Sequence, residues 1–465
     1  MLFSSITFLY CFLPCVLLVY FIVPDRMKNF VLLSSSLLFY GWGEPKYLAF
    51  MLASIAQSYI AAHLVERLRG TAGARLVTAL SAAASLGLLA YCKYADFFIE
   101  NFNALTGLSV PLLRVALPVG ISFYTFQILS YVIDVYRGDV PAQRNFIDLA
   151  MYVAMFPQLI AGPIVRYSDI AGSLKNRRTS LADASEGITR FSVGLAKKIL
   201  LANQAALIVS EFKASGEKTV LFYWLYTVSY MLHIYFDFSG YSDMAIGLGR
   251  IFGFRFSENF NYPYISSSIT EFWRRWHISL GGWFRDYLYI PLGGNRVKPM
   301  RHVFNILVVW AATGFWHGAA WNFILWGLLY AVLLLFEKYV LRPNMRLKVP
   351  MHIYTLLFVA LGFILFDSAT VGDALVSFKA MLGFSGLPAA DAPSLYYLRS
   401  NAVLLVVSAV GATPLPKRIF EKIGETALGK RIFSVAVPAS AAALIAVCTA
   451  YLIDGSFNPF VYFRF

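Results

Sequence analysis

His317 stands in the stretch Thr313–Gly327, TGFWHGAAWNFILWG, which otherwise reads as membrane helix. Its neighbours Trp316, Gly318, Ala319, Ala320 and Trp321 are all apolar or small. A titratable ring at that depth is unfavourable unless it lines a cavity, pairs with a partner or does chemistry. Imidazole is also the side chain whose ordinary pKa best suits proton transfer near neutral pH. His317 is therefore a candidate general base. The structural alternative is a histidine that only hydrogen-bonds a neighbouring helix.

Three further constellations carry polar chemistry. In EFWRRWHISLGGWFRDYLYIPLGGNR, Glu271–Arg296, Trp273 and His277 are spaced to share one face of a helix, with Arg274 and Arg275 beside them. Arg285 and Asp286 follow a Gly281–Gly282 break. Guanidinium groups suit the phosphates of a lipid or cofactor; a surface helix anchored by Trp and Arg is the other reading. His277 and His317 are far apart in sequence and can meet only through the fold. In YFDFSGYSDMAIG, Tyr235–Gly247, Asp237 and Asp243 can hold a cation or act as acid and base. The intervening Ser239–Gly240 reads first as a helix break, with Asp237 or Ser239 capping a helix that starts near Tyr241. In FPQLIAGPIVRY, Phe156–Tyr167, Pro157 and Pro163 interrupt the helix and Gln158 places an amide in an apolar run. That pattern predicts a kinked or re-entrant segment lining a cavity, or a kink with a purely structural role. There is no GxSxG elbow, HExxH, phosphate-cradling glycine loop or Cys/His metal spacing, so an enzyme here is neither a standard serine hydrolase nor a metalloprotease, and no metal site is expected.

The elements that must position these groups follow from composition. Of 465 residues, 59% are hydrophobic and 14% charged, with a mean hydropathy of +0.64. A soluble domain is about a quarter charged and less than half apolar. The chain reads as an all-α polytopic membrane protein, with Met1–Val23 as a retained first span. At about 20 residues per span, its apolar runs predict roughly 11–13 membrane-embedded helices. Several runs are short, which implies tilted, broken or re-entrant segments. One membrane domain is expected over residues 1–465, with a motif-rich catalytic core at about 117–337 and peripheral helices at 1–116 and 350–465. The formal net charge is +14, but the Lys and Arg residues fall between apolar runs, as in cytoplasmic loops facing anionic lipid, which argues against nucleic acid. Cys11, Cys15, Cys92 and Cys448 have no metal-ligand companions and read as small buried hydrophobes.

Taken together, these motifs resemble the membrane-bound O-acyltransferase family. LPVGISFYTFQILSYVIDVYRG (Leu117–Gly138) and the terminal FNPFVYFRF add to the likeness, which runs from the opening MLFSS to Phe465. Within the family the chain is most similar to the bacterial alginate and peptidoglycan O-acetyltransferase type, and the D-alanyl transferase of teichoic acid decoration is a closer relative than the eukaryotic members. The resemblance implies helices around a central tunnel, with a catalytic histidine at His317 and a second polar position at His277. Trp273, Arg274, Arg275, Arg285, Asp286, Trp316 and Gln158 are then candidates for binding donor or substrate. It further implies a cytoplasmic thioester donor, acetyl-CoA, with no bound cofactor. In polysaccharide acetylation the acetyl group passes to an extracytoplasmic SGNH-type acyltransferase partner at the bacterial inner (cytoplasmic) membrane. Two alternatives remain: D-alanyl transfer from a charged acyl carrier protein, and a transporter or flippase. The latter is weakened by the lack of a visible internal repeat.

The basic residues set an orientation. Arg26 and Lys28 follow the first run, Arg67, Arg69 and Arg75 lie between the third and fourth, and Arg137 and Arg144 follow the fifth. This alternation puts the N-terminus outside and Arg67 and Arg177 in the cytoplasm. Single cysteines at Arg67 and Arg177 are expected to stay unlabelled by an impermeant thiol reagent on intact cells and to label after permeabilisation. Strong labelling of either from outside overturns this topology.

Overall fold

The computed structural model describes residues 1–160, 162–341 and 347–455; the terminal FNPFVYFRF motif lies outside them. Among the described residues all regular structure is helical. Six helices among the described residues are long and apolar enough to cross a membrane: Pro45–Arg67, Ala72–Lys93, Leu181–Ala214, Trp321–Leu341, Lys348–Asp367 and Ala427–Asp454. A pair bent by 52°, Ala392–Ser400 and Ala402–Gly411, makes a seventh if counted as one span. The chain is an all-α polytopic membrane protein, as its composition requires. The larger sequence-based number included every apolar run, and several of those runs form shorter helices, such as Lys28–Gly43, Ile121–Arg137 and Pro299–His317.

Many large apolar side chains lie on the surface, among them Leu18, Ile22, Leu80, Val403 and Val435. In a bilayer such exposure is contact with lipid, where no hydrophobic penalty arises. The same reason corrects the reading of two cysteines: Cys92 and Cys448 are buried, but Cys11 and Cys15 are exposed on the Phe8–Ile22 helical segment. A small apolar residue tells core from lipid face poorly when both are apolar.

The chain folds as two compact units, Met1–Phe191 with Met244–Ser257, and Ser192–Asp243 with Glu258–Phe465. In the first, Phe3, Phe8, Phe12 and Phe39 pack with Phe156, the first residue of the short helix Phe156–Leu159. Met155 breaks the preceding helix with φ −53° and ψ 111°, and Ser36 Oγ accepts from Phe156 N at 3.0 Å. The interruption expected at Pro157 is therefore present. Gln158 is buried and donates through Nε2 to the Tyr152 carbonyl at 2.6 Å.

The second unit corrects the expected break at Ser239–Gly240. The helix Val220–Ile251 runs through it for 32 residues. Gly240 is needed for close packing: a Cβ there would lie 2.7 Å from the Gly194 carbonyl. That approach brings the π-helical turn Lys197–Ala202 alongside. Lys198 and Asp237 form a buried ion pair at 2.5 Å, their side chains 3% and 0% exposed. Lys197 pairs with Asp243 at 2.6 Å. The two carboxylates thus tie helix to helix instead of capping a helix.

Asp237→Asn leaves the Lys198 charge buried without a counter-charge, and is expected to destabilise by about 3–5 kcal/mol. The apolar double variant Lys198→Met/Asp237→Leu should recover most of that loss. Thermal unfolding in detergent checks both; an unchanged midpoint for Asp237→Asn contradicts the assignment.

Candidate active site

The Pro299–His317 helix ends on His317, after which Gly318 is extended (φ −168°, ψ 157°) and the chain turns into the Trp321–Phe336 helix. The two helices pack with backbone in contact. A Cβ on Gly314 would lie 2.3 Å from the Phe323 carbonyl, and one on Gly327 2.2 Å from the Trp310 carbonyl. Gly318 is filled against as well, since a Cβ there would meet the Phe323 ring at 2.2 Å. Gly314, Gly318 and Gly327 therefore serve the hairpin. His317 is 4% exposed, with its ring against Trp316, Trp326 and Phe366 at centroid distances of 4.9, 5.0 and 5.3 Å.

His277 reaches the same place by a different device. The helix Ile269–Arg275 stops at an extended Trp276 (φ −104°, ψ 128°), and His277 takes a left-handed conformation (φ 46°, ψ 54°) before the helix Ile278–Phe284. The expected helical register between Trp273 and His277 is thus broken. A left-handed non-glycine residue is strained and persists only where its surroundings hold it. Here the holding is visible. Ile278 N donates to the Asn259 carbonyl at 3.0 Å, and Asn261 N to the Arg275 carbonyl at 2.9 Å. Asn259 Oδ1 lies 3.1 Å from His277 Nδ1 and accepts from Ser279 N at 3.2 Å and Ser279 Oγ at 2.9 Å. Phe238 meets the His277 ring edge-on at 4.7 Å.

Both histidines line one cavity of about 200 Å³, with Trp273, Trp276, Trp310 and Thr313 in its wall and Arg285 among its lining residues. The walls are mostly apolar or aromatic, the usual setting of a small-molecule site with a few placed polar groups. Arg285 is exposed and bonds Asp286 Oδ1 through Nε at 2.6 Å and Oδ2 through Nη2 at 3.0 Å; this carboxylate pushes its already high pKa further up. The other sequence candidates fall elsewhere. Arg274 is exposed and outside the cavity wall. Arg275 is engaged by Glu271 at 2.9 Å and by the Asn261 carbonyl at 3.0 Å. Trp316 is buried between the two histidine rings, 6.1 Å from His277 by centroid. Gln158 belongs to the first unit and is not in the cavity wall. No cluster of metal-binding side chains occurs among the described residues.

Sequence reading missed Asn259, Trp310 and Glu337. Buried Glu337 caps the Ile269–Arg275 helix from a distant helix, accepting from Ile269 N at 2.5 Å, Thr270 N at 2.9 Å and Thr270 Oγ1 at 2.6 Å. Its one legible signal was a carboxylate directly after the apolar run Phe323–Phe336.

The site is thus two buried imidazoles in one largely apolar cavity of an integral membrane protein. The family model "MBOAT, membrane-bound O-acyltransferase family" matches residues 140–366. The chain is similar along its whole length to the whole of "Probable alginate O-acetylase AlgI" of Azotobacter vinelandii, at 39% identity. It is 35% identical to "Peptidoglycan O-acetyltransferase" of Helicobacter pylori, over 83% of this chain and 81% of that one. "Teichoic acid D-alanyltransferase" of Bacillus subtilis is 30% identical over 54% of this chain and 68% of its own. The chain belongs to the membrane-bound O-acyltransferase family and is an O-acyltransferase.

Glu337→Ala leaves the donors of Ile269 and Thr270 without their acceptor, at roughly 1–3 kcal/mol for each buried group. The variant is expected to unfold at lower temperature and to lose transfer activity, with Glu337→Gln milder because one oxygen still accepts. Wild-type thermal stability in Glu337→Ala would show that the cap does not hold this helix.

Proposed function

We propose that this enzyme moves an acetyl group from a cytoplasmic thioester, acetyl-CoA, toward an extracytoplasmic polysaccharide, with His317 as general base. The observation that carries this reading is that His277 and His317, distant in sequence, line one cavity while only 2% and 4% exposed. His317 takes the proton of an acceptor hydroxyl as its oxygen attacks the thioester carbonyl. The new C–O bond forms, the C–S bond breaks, and the thiolate leaves with a proton. His317 is the last residue of its helix, where the negative end of the helix favours the imidazolium formed in that step. The aromatic walls keep out the water that would hydrolyse the thioester.

His277 orients or polarises a reacting group, and Arg285 contributes a cation for the donor's phosphates. The orientation given by the basic loops brings the donor from the cytoplasm, and an SGNH-type acyltransferase outside is the expected recipient. Acetyl transfer is favoured over D-alanyl transfer because the relatives named for O-acetylation match most or all of this chain, whereas the Bacillus D-alanyltransferase matches about half. Three tryptophans in the wall favour a short acyl group.

His317→Ala is expected to lower transfer by roughly 10²–10⁴-fold, the usual contribution of a general base, while the protein still folds. His277→Ala should be impaired less. Polysaccharide acetylation in cells and acetyl-CoA consumption by the purified protein are the measurements. Undiminished acetylation with His317→Ala removes this residue from the chemistry, and a reversed order of severity moves the base to His277.

A further inference from the structure

We infer that Asn259 is a positioning residue that sets the tautomer of His277, so that Nδ1 carries the proton and Nε2 is the basic atom. The inference rests on the reading of His277 as a participant in transfer and adds to it which nitrogen acts and what holds it there.

One donor at this site cannot reverse its role. The Ser279 backbone N–H lies 3.2 Å from the Asn259 side-chain atom that also faces His277, and a backbone N–H only donates. That atom is therefore the amide oxygen. The Ser279 hydroxyl, 2.9 Å away, donates to the same oxygen. The opposite end agrees, since Asn259 Nδ2 donates to Ser242 Oγ at 3.1 Å on the Val220–Ile251 helix. With the oxygen fixed by the Ser279 backbone N–H, the amide is not open to a flip. His277 Nδ1, 3.1 Å from that oxygen, meets an acceptor and bonds to it only as Nδ1–H. In a neutral imidazole the lone pair then belongs to Nε2.

Asn259 is 1% exposed and its own carbonyl takes the Ile278 N–H at 3.0 Å. One residue therefore grips both the ring of His277 and the backbone beside it, across the strained left-handed turn. Such a grip supplies the fixed tautomer and ring orientation that a base or hydrogen-bond acceptor in a transfer reaction needs. Asparagine does this without adding a charge to an apolar cavity, which an aspartate would do.

The test reads the tautomer directly. The chain has six histidines, so ¹⁵N-histidine labelling of the full chain in detergent or nanodiscs, with His277→Ala to assign the signal, resolves both nitrogens of His277. At neutral pH, wild type is expected to show a protonated Nδ1 and an unprotonated Nε2. Asn259→Leu should shift His277 toward the Nε2–H form and lower kcat for acetyl-CoA-dependent transfer roughly 10–100-fold, with KM little changed. Asn259→Asp, which keeps an acceptor at the same place, should retain the Nδ1–H form and recover part of kcat. A wild-type His277 protonated at Nε2 overturns the inference. So does unaltered kcat in Asn259→Leu, or equal loss in Asn259→Leu and Asn259→Asp. If Asn259→Leu does not fold, the wild-type spectrum and Asn259→Asp still decide. Full activity in His277→Ala is a different outcome: it removes the reading of His277 itself.

Discussion

A polar group inside a bilayer has no water to turn to, so each one needs its partner within the protein. The organisation of the second unit follows from that constraint. Lys198 and Asp237 are both almost fully buried and answer each other's charge. Glu337 answers the N–H groups left over at the start of the Ile269–Arg275 helix. Asn259 answers Ser242, Ser279 and His277 at once. These contacts tie several helices to a strained turn, and the ring of His277 is placed as a result.

The placement has a chemical consequence. A general base works when it is held within reach of the proton it abstracts and is not hydrated by bulk water. His317 owes its position to a helix hairpin closed by Gly314 and Gly327, where backbone touches backbone. His277 owes its position to a helix that stops early. One histidine is set by close packing and the other by hydrogen bonding, and they line the same cavity. The family to which the chain belongs performs acyl transfer, and a largely apolar cavity with two such rings is compatible with that chemistry.

Much of this was legible in the residue types. The composition alone required an all-α membrane protein, because a chain 59% hydrophobic and 14% charged cannot be solvated as a soluble globule. His317 stood out because an ionisable ring in an apolar run demands a reason. The Pro157 interruption was readable because proline removes a donor wherever it occurs. Other local signals misled. Ser239–Gly240 carries the marks of a helix break, but glycine also permits close helix contact, and only the neighbouring Gly194 carbonyl tells the two uses apart. Trp273 and His277 have helical spacing, yet the helix ends between them.

By itself, then, the sequence determined the class of fold and the residues able to do chemistry, because apolar composition and side-chain pKa are properties of single residues and short windows. The tertiary structure decided which of those residues lie together. It brought His277 to His317, gave Arg275 to Glu271, kept Gln158 out of the cavity wall, and supplied Asn259 and Glu337, neither of which stands out in its own segment. The physical reason is range. Hydropathy and helix spacing are local, whereas a hydrogen bond between residues 67 or 68 positions apart, such as those from Ile269 and Thr270 to Glu337, depends on the path of every helix between them.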